Sequence, residues 1–155
     1  MQEKEIYFKK AKFWNMVCLI LKILSEIATV IVLIPMFTLK KEMFESLGSE
    51  GIEQYNQLTS ISSKVSTILS LIVGIVLIVF YIIANKKLKN MEEVSKFPYY
   101  ISMGFFVIST IYGQFTAQTS DFGLMSIVGL IIGIFCAFLP PIMVLRNLFK
   151  LDSED

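Results

Sequence analysis

Long apolar runs alternate with short polar stretches along this chain. Residues 65–84, 97–120 and 122–145 carry no charged side chain over 20, 24 and 24 positions. About twenty residues at ~1.5 Å rise cross a hydrocarbon core of ~30 Å. No water is available there for backbone groups, so each run predicts a helix. Residues 14–39 have a similar slope, interrupted by Lys22 and Glu26. The expected fold is therefore an all-α integral membrane protein, a four-transmembrane-helix bundle in a single domain, 1–155. Its spans fall at about 14–39, 65–84, 98–117 and 123–145. A soluble fold is excluded because too little polar surface remains to cover these runs.

The connections differ in character. Residues 40–64 form the longest loop. Ile52, Tyr55, Leu58, Ile61 and Val65 recur near helical spacing, with Glu53, Gln54, Asn56 and Gln57 opposite. This predicts that the second helix starts near Ile52 and projects outside the bilayer, after a breaker at 48–51 and a short helical turn at 41–47. Phe44, Leu47, Ile52, Tyr55 and Leu58 are the candidate outer partner surface. The plainer alternative, preferred from sequence, is that this apolar stripe rests on headgroups or on its own loop. Residues 85–97 are short and basic and read as a solvated helix extension. Glu92 and Glu93 would point about 100° apart there, a poor metal or acid/base pair. The tight 118–122 connection predicts antiparallel third and fourth spans. Pro35 should kink the first span, and Pro140 and Pro141 should bend the fourth, leaving 142–149 to follow or leave the membrane surface.

Composition agrees: 55% of residues are hydrophobic and 17% charged, against about a quarter charged in soluble domains. The net charge of +1 matters less than its distribution. Ten Lys/Arg lie in the N-terminal tail, the 85–97 segment and the C-terminal tail, against three in the 40–64 loop. Both termini and the 85–97 segment are therefore expected in the cytoplasm, the spans in the plasma membrane. Trp14, Tyr81, Tyr99 and Tyr100 fall near the inner boundary and read as interfacial aromatics. The basic tail before 27–39 resembles a signal-peptide n-region, but Lys22, Glu26 and the lack of a small-residue cleavage site favour a retained span. Cys18 and Cys136 lie in different spans and read as packing residues.

Lipid offers no hydrophobic drive between helices, so association depends on close approach and interhelical hydrogen bonds. Suitable faces occur on every span. The fourth aligns Ser126, Gly129, Gly133 and Ala137; the second, Ser63, Thr67, Ser70 and Gly74; the third, Ser102, Ser109, Gly113 and Thr116. These faces are expected to turn inward.

The first span poses the functional question. Lys22 and Glu26 are one turn apart and share a face. Asn15, Cys18, Ser25 and Thr29 extend this polar stripe. A mid-membrane charge costs roughly 2.5–3.5 kcal/mol on insertion scales, so the stripe should face the bundle or a hydrated cavity. Either Lys22 snorkels and pairs with Glu26 structurally, or Glu26 binds a proton, a cation or a partner's charge. Burial opposes the carboxylate's charge while the neighbouring ammonium favours it.

No histidine is present, which removes the usual general base and the common His-bearing metal sites. No phosphate-binding glycine loop or cysteine pair occurs, and no cofactor is implied. The dispersed basic residues suit topology and anionic lipids, not nucleic acid. The expectation is a non-enzymatic protein that binds another membrane protein, or itself as a homo-oligomer. A toxin or bacteriocin immunity protein and an accessory subunit of a transport or secretion complex are two such roles. The alternative is an oligomeric cation or proton channel or transporter using Glu26. The Ile/Phe/Lys-rich composition resembles that of small membrane proteins of low-GC bacteria, a resemblance that implies no activity.

Overall fold

A computed structural model describes residues 2–116 and 124–153, with the side chains of 2, 114–116 and 124–126 excepted. All its regular structure is helical: α1 (Gln2–Thr38), α2 (Glu42–Glu45), α3 (Gly48–Thr59), α4 (Ile61–Lys89), α5 (Phe97–Thr116) and α6 (Leu124–Asp152). Among the described residues three helical stretches are long and apolar enough to cross a membrane: Glu3–Thr38, Ile61–Lys89 and Ile127–Asp152. The expected third span coincides with α5. The 118–122 connection, and the side chains of Thr116 and Ser126, lie outside the described residues.

The chain divides into two compact units, Met1–Leu21 with Val79–Asp155, and Lys22–Ile78. The first holds most of the core. Ala11 and Cys18 of α1, Tyr81, Ala84 and Leu88 of α4, Tyr99 of α5, and Val144, Leu145, Leu148 and Leu151 of α6 are all buried. Pairings with reversed numbering make α5 and α6 antiparallel neighbours. Lys96 bridges to Asp152 and lies 4.2 Å over the Phe149 ring, while Phe106 meets Phe138 edge-on at 5.8 Å.

Pro140 and Pro141 are buried inside α6, which continues to Asp152. Val144, Leu145, Leu148 and Leu151 fall on one face at helical spacing and bury it, leaving Arg146, Phe149 and Lys150 exposed. This apolar stripe holds the segment in the unit. Pro35 likewise lies inside α1, which continues to Thr38.

The 85–97 segment extends the second span's helix only through its first five residues, 85–89. Helix α4 stops at Lys89, and Glu92 and Glu93 lie beyond it in irregular chain. Met91 has φ 57, the Glu92 amide bonds the Lys87 carbonyl at 3.0 Å, and the Met91 amide bonds that of Leu88 at 3.4 Å. This is a Schellman stop, with a methionine where glycine is usual, and no local sequence signal marks it. Lys87 Nζ then donates to the Glu93 carbonyl at 3.4 Å.

In the second unit α1 and α4 are also antiparallel: Glu26 lies against Gly74, and Lys64 Nζ sits 5.0 Å from the Phe37 ring centre. The outer loop departs from the expected continuous rod. Helix α3 begins at Gly48, ends at Thr59, and is separated from α4 by Ser60 at ψ 147°. Ser60 Oγ accepts the Ser63 amide at 3.1 Å and donates to Ser63 Oγ at 2.9 Å. Ser63 Oγ in turn donates to the Gln57 carbonyl at 2.7 Å. Ser60 thus caps α4 and breaks the rod, the usual competition of a short hydroxyl with helical backbone. The expected breaker at 48–51 acts only at its first position, where Gly48 turns the chain at φ +70°.

Because Met91 pays the steric cost of a left-handed residue while more than half exposed, Met91→Gly should stabilise the protein by about 0.5–1 kcal/mol. Thermal unfolding in detergent checks this.

Candidate functional site

Two polar constellations arise on α1, one in each unit. In the first, Asn15 is fully buried. Its Nδ2 donates to the Tyr81 backbone carbonyl of α4 at 2.9 Å, and its Oδ1 accepts the Tyr99 hydroxyl of α5 at 2.8 Å. The Tyr81 and Tyr99 rings stack at 5.6 Å. One amide therefore joins three helices. Tyr81 and Tyr99 sit in the core and are not headgroup-facing aromatics, which corrects the reading of them as interfacial. Trp14 is half-buried and Tyr100 exposed. Residues 15, 81 and 99 are too far apart in sequence for any local pattern to reveal the cluster.

The second constellation is Lys22, Glu26 and Gly74. Lys22 Nζ lies 2.8 Å from Glu26 Oε1, and both side chains are largely buried, at 17% and 8% exposure. The carboxylate presses on α4 where Gly74 has no side chain; a Cβ there would fall inside it. Gly74 is thus the receptacle for Glu26, not merely a site of helix approach. The second oxygen, Oε2, is buried without a hydrogen-bond partner among the described residues. Such a pair gains Coulomb energy but loses hydration, so removing one partner costs far more than removing both.

The rest of the expected stripe divides. Cys18 is buried, Thr29 is half-buried and Ser25 is exposed. Thr29 Oγ1 donates to the Ser25 carbonyl at 3.0 Å, one turn back on its own helix. Thr67 and Thr110 do the same, to Ser63 and Phe106. Threonine can satisfy itself this way in a helix, so a hydroxyl-bearing face need not seek a neighbour.

The small-residue faces are unequal. Gly74 is buried and Ser70 half-buried on α4. On α6, Gly133 and Ala137 are half-buried, and a Cβ at Gly133 would stand 3.7 Å from Phe106. Gly129, Ser109 and Gly113 are exposed, and a Cβ at either glycine would meet nothing within 4 Å. Phe106, Gly133 and Phe138 mark one place where α5 and α6 pack closely.

Outside the expected spans, α2 and α3 pack on each other as a hairpin. Gly51 is buried where a side chain would collide with the Phe44 carbonyl and Leu47 Cβ, and the Phe44 and Tyr55 rings meet at 5.7 Å. Phe44, Ile52 and Tyr55 are half-buried. Leu47 and Leu58 remain exposed, at 62% and 39%. Three of the five expected surface residues are therefore partly used in bracing the loop.

Comparison with protein-family models, curated proteins and solved structures finds no match for this chain. The site's chemistry must be argued from its own residues.

Two substitutions follow. Asn15→Ala leaves the Tyr99 hydroxyl unpaired and Tyr99→Phe leaves the buried Asn15 Oδ1 unpaired, so each should cost about 1–3 kcal/mol in unfolding measured in detergent. Gly74→Ala should destabilise the protein, but much less in a Glu26→Ala background. A double-mutant cycle from unfolding midpoints in detergent measures that coupling; additivity would refute the receptacle role of Gly74.

Proposed function

We propose that this chain is a non-enzymatic plasma-membrane protein with four spans and both termini in the cytoplasm, acting by binding another protein through the α2–α3 hairpin. The braced hairpin carries this reading: its packing uses Phe44, Tyr55 and Gly51, while Leu47 and Leu58 stay exposed. A braced support that leaves two leucine side chains exposed suits partner recognition. Protection against a membrane-targeted toxin and service as an accessory subunit of a transport or secretion complex are the two roles that fit such a surface. α5 is the remaining span, and the ten-to-three bias in basic residues supports the orientation.

One observation favours a second reading, a cation or proton pathway. Glu26 Oε2 is buried and unpartnered, a place where a proton or small cation would relieve an unmet interaction. Lys22 opposes it, because its ammonium already neutralises the carboxylate.

Cysteine labelling tests the topology. In a cysteine-free background, Ser49→Cys should react with an impermeant maleimide in intact cells, and Ser153→Cys only after permeabilisation. For function, a specific protein should co-purify from native membranes in mild detergent and be lost with Leu47→Ser/Leu58→Ser, while liposomes of the purified protein stay silent to ions and protons. Ion flux abolished by Glu26→Gln in a folded protein would instead establish the pathway.

A further inference from the structure

We propose that the hairpin's partner presents a cationic amphipathic helix, with lysine or arginine flanking an apolar stripe. This rests on the binding role proposed for α2–α3 and specifies its chemistry. Residues 42–63 contain Glu42, Glu45, Glu50 and Glu53 and no Lys or Arg. All four glutamates are exposed, and none enters an ion pair among the described residues. The nearest following base, Lys64, lies over the Phe37 ring. Leu47 and Leu58 thus emerge among four exposed carboxylates, with the exposed Lys40 and Lys41 confined to the start of α2, while Phe44 and Tyr55 make the hairpin's own aromatic contact.

Charge decides between occupants. Helices that bed into a membrane surface carry Lys and Arg on the polar face, and anionic headgroups repel carboxylates, so lipid is a poor cover for this hairpin. A second copy would bring the same four glutamates into opposition. A basic amphipathic segment neutralises the rim and buries both leucines. Such a contact is steered by long-range attraction and weakens with salt.

The full-length protein in phosphatidylcholine nanodiscs provides the test, with empty discs as the reference. Two fluorescent helical peptides share one apolar face, one with a lysine polar face and the other with a glutamate one. The lysine peptide should bind protein-bearing discs at least about tenfold more tightly than empty ones, and the glutamate peptide should not. Replacing all four glutamates (Glu42→Gln, Glu45→Gln, Glu50→Gln, Glu53→Gln) should cost about tenfold and remove most of the salt dependence. Equal binding of the two peptides, no binding of either, or an unaffected quadruple variant overturns the proposal. A change in oligomeric mass in that variant would make the occupant a second copy and overturn it as well. If the cationic chemistry fails while a native partner is still lost with Leu47→Ser/Leu58→Ser, the binding role survives and only its charge assignment falls. Retention of that native partner by the leucine variant would remove the binding role itself.

Discussion

The Asn15 amide constrains the larger unit more than any other group. Fully buried among apolar helices, it has no water to fall back on, so its donor and acceptor must both be met within the protein. Meeting them requires a particular α4 carbonyl and a particular α5 hydroxyl to converge on one turn of α1. That requirement sets the register of three helices at once, which apolar packing alone specifies poorly because Leu, Ile and Val faces are interchangeable. Stacking of Tyr81 on Tyr99 follows from the same convergence. Helix α6 completes this unit through its inward stripe from Val144 to Leu151 and the Lys96–Asp152 bridge.

The second unit obeys a different rule. It buries little beyond Met36, Leu77, two glycines and the Glu26 carboxylate. Its α1 and α4 stretches expose many Ile, Val and Leu side chains, the surface expected of helices solvated by lipid. Within that surface Lys22 and Glu26 cancel each other's charge along one helix, and α4 meets the carboxylate with the only residue that leaves room for it. Charge compensation is intrahelical, while steric accommodation is interhelical. The carboxylate's second oxygen remains without a hydrogen-bond partner among the described residues.

The hairpin outside the expected spans joins these units to a functional reading. Had α3 run unbroken into α4, its apolar residues would have continued the membrane helix as one stiff rod. The Ser60–Ser63 cap instead uncouples the two, and Gly51 draws α2 and α3 together. The result is a small anionic platform with its own internal packing. Its four exposed glutamates contrast with the basic 85–97 segment.

By itself the sequence determined the class of solvent this protein meets, because uncharged runs of twenty or more residues admit few other fates in 155. It also marked Lys22 and Glu26 as a same-face pair, since spacing within one helix is local geometry. The pairing of Asn15 with Tyr99, across 84 positions, and of Glu26 with Gly74 was decided only by tertiary structure. Each depends on which helix faces which, information that no local window contains. The same holds for what became of the polar faces: Thr29 and Thr67 turned to their own backbones, and Ser25 lies exposed. Helix stops at Met91 and Ser60 escaped the reading because one places a bulky residue in a glycine conformation and the other rests on a hydroxyl that also suits a helix interior. Periodicity fixes how residues are displayed on a helix; only the assembled fold fixes what each displayed residue meets.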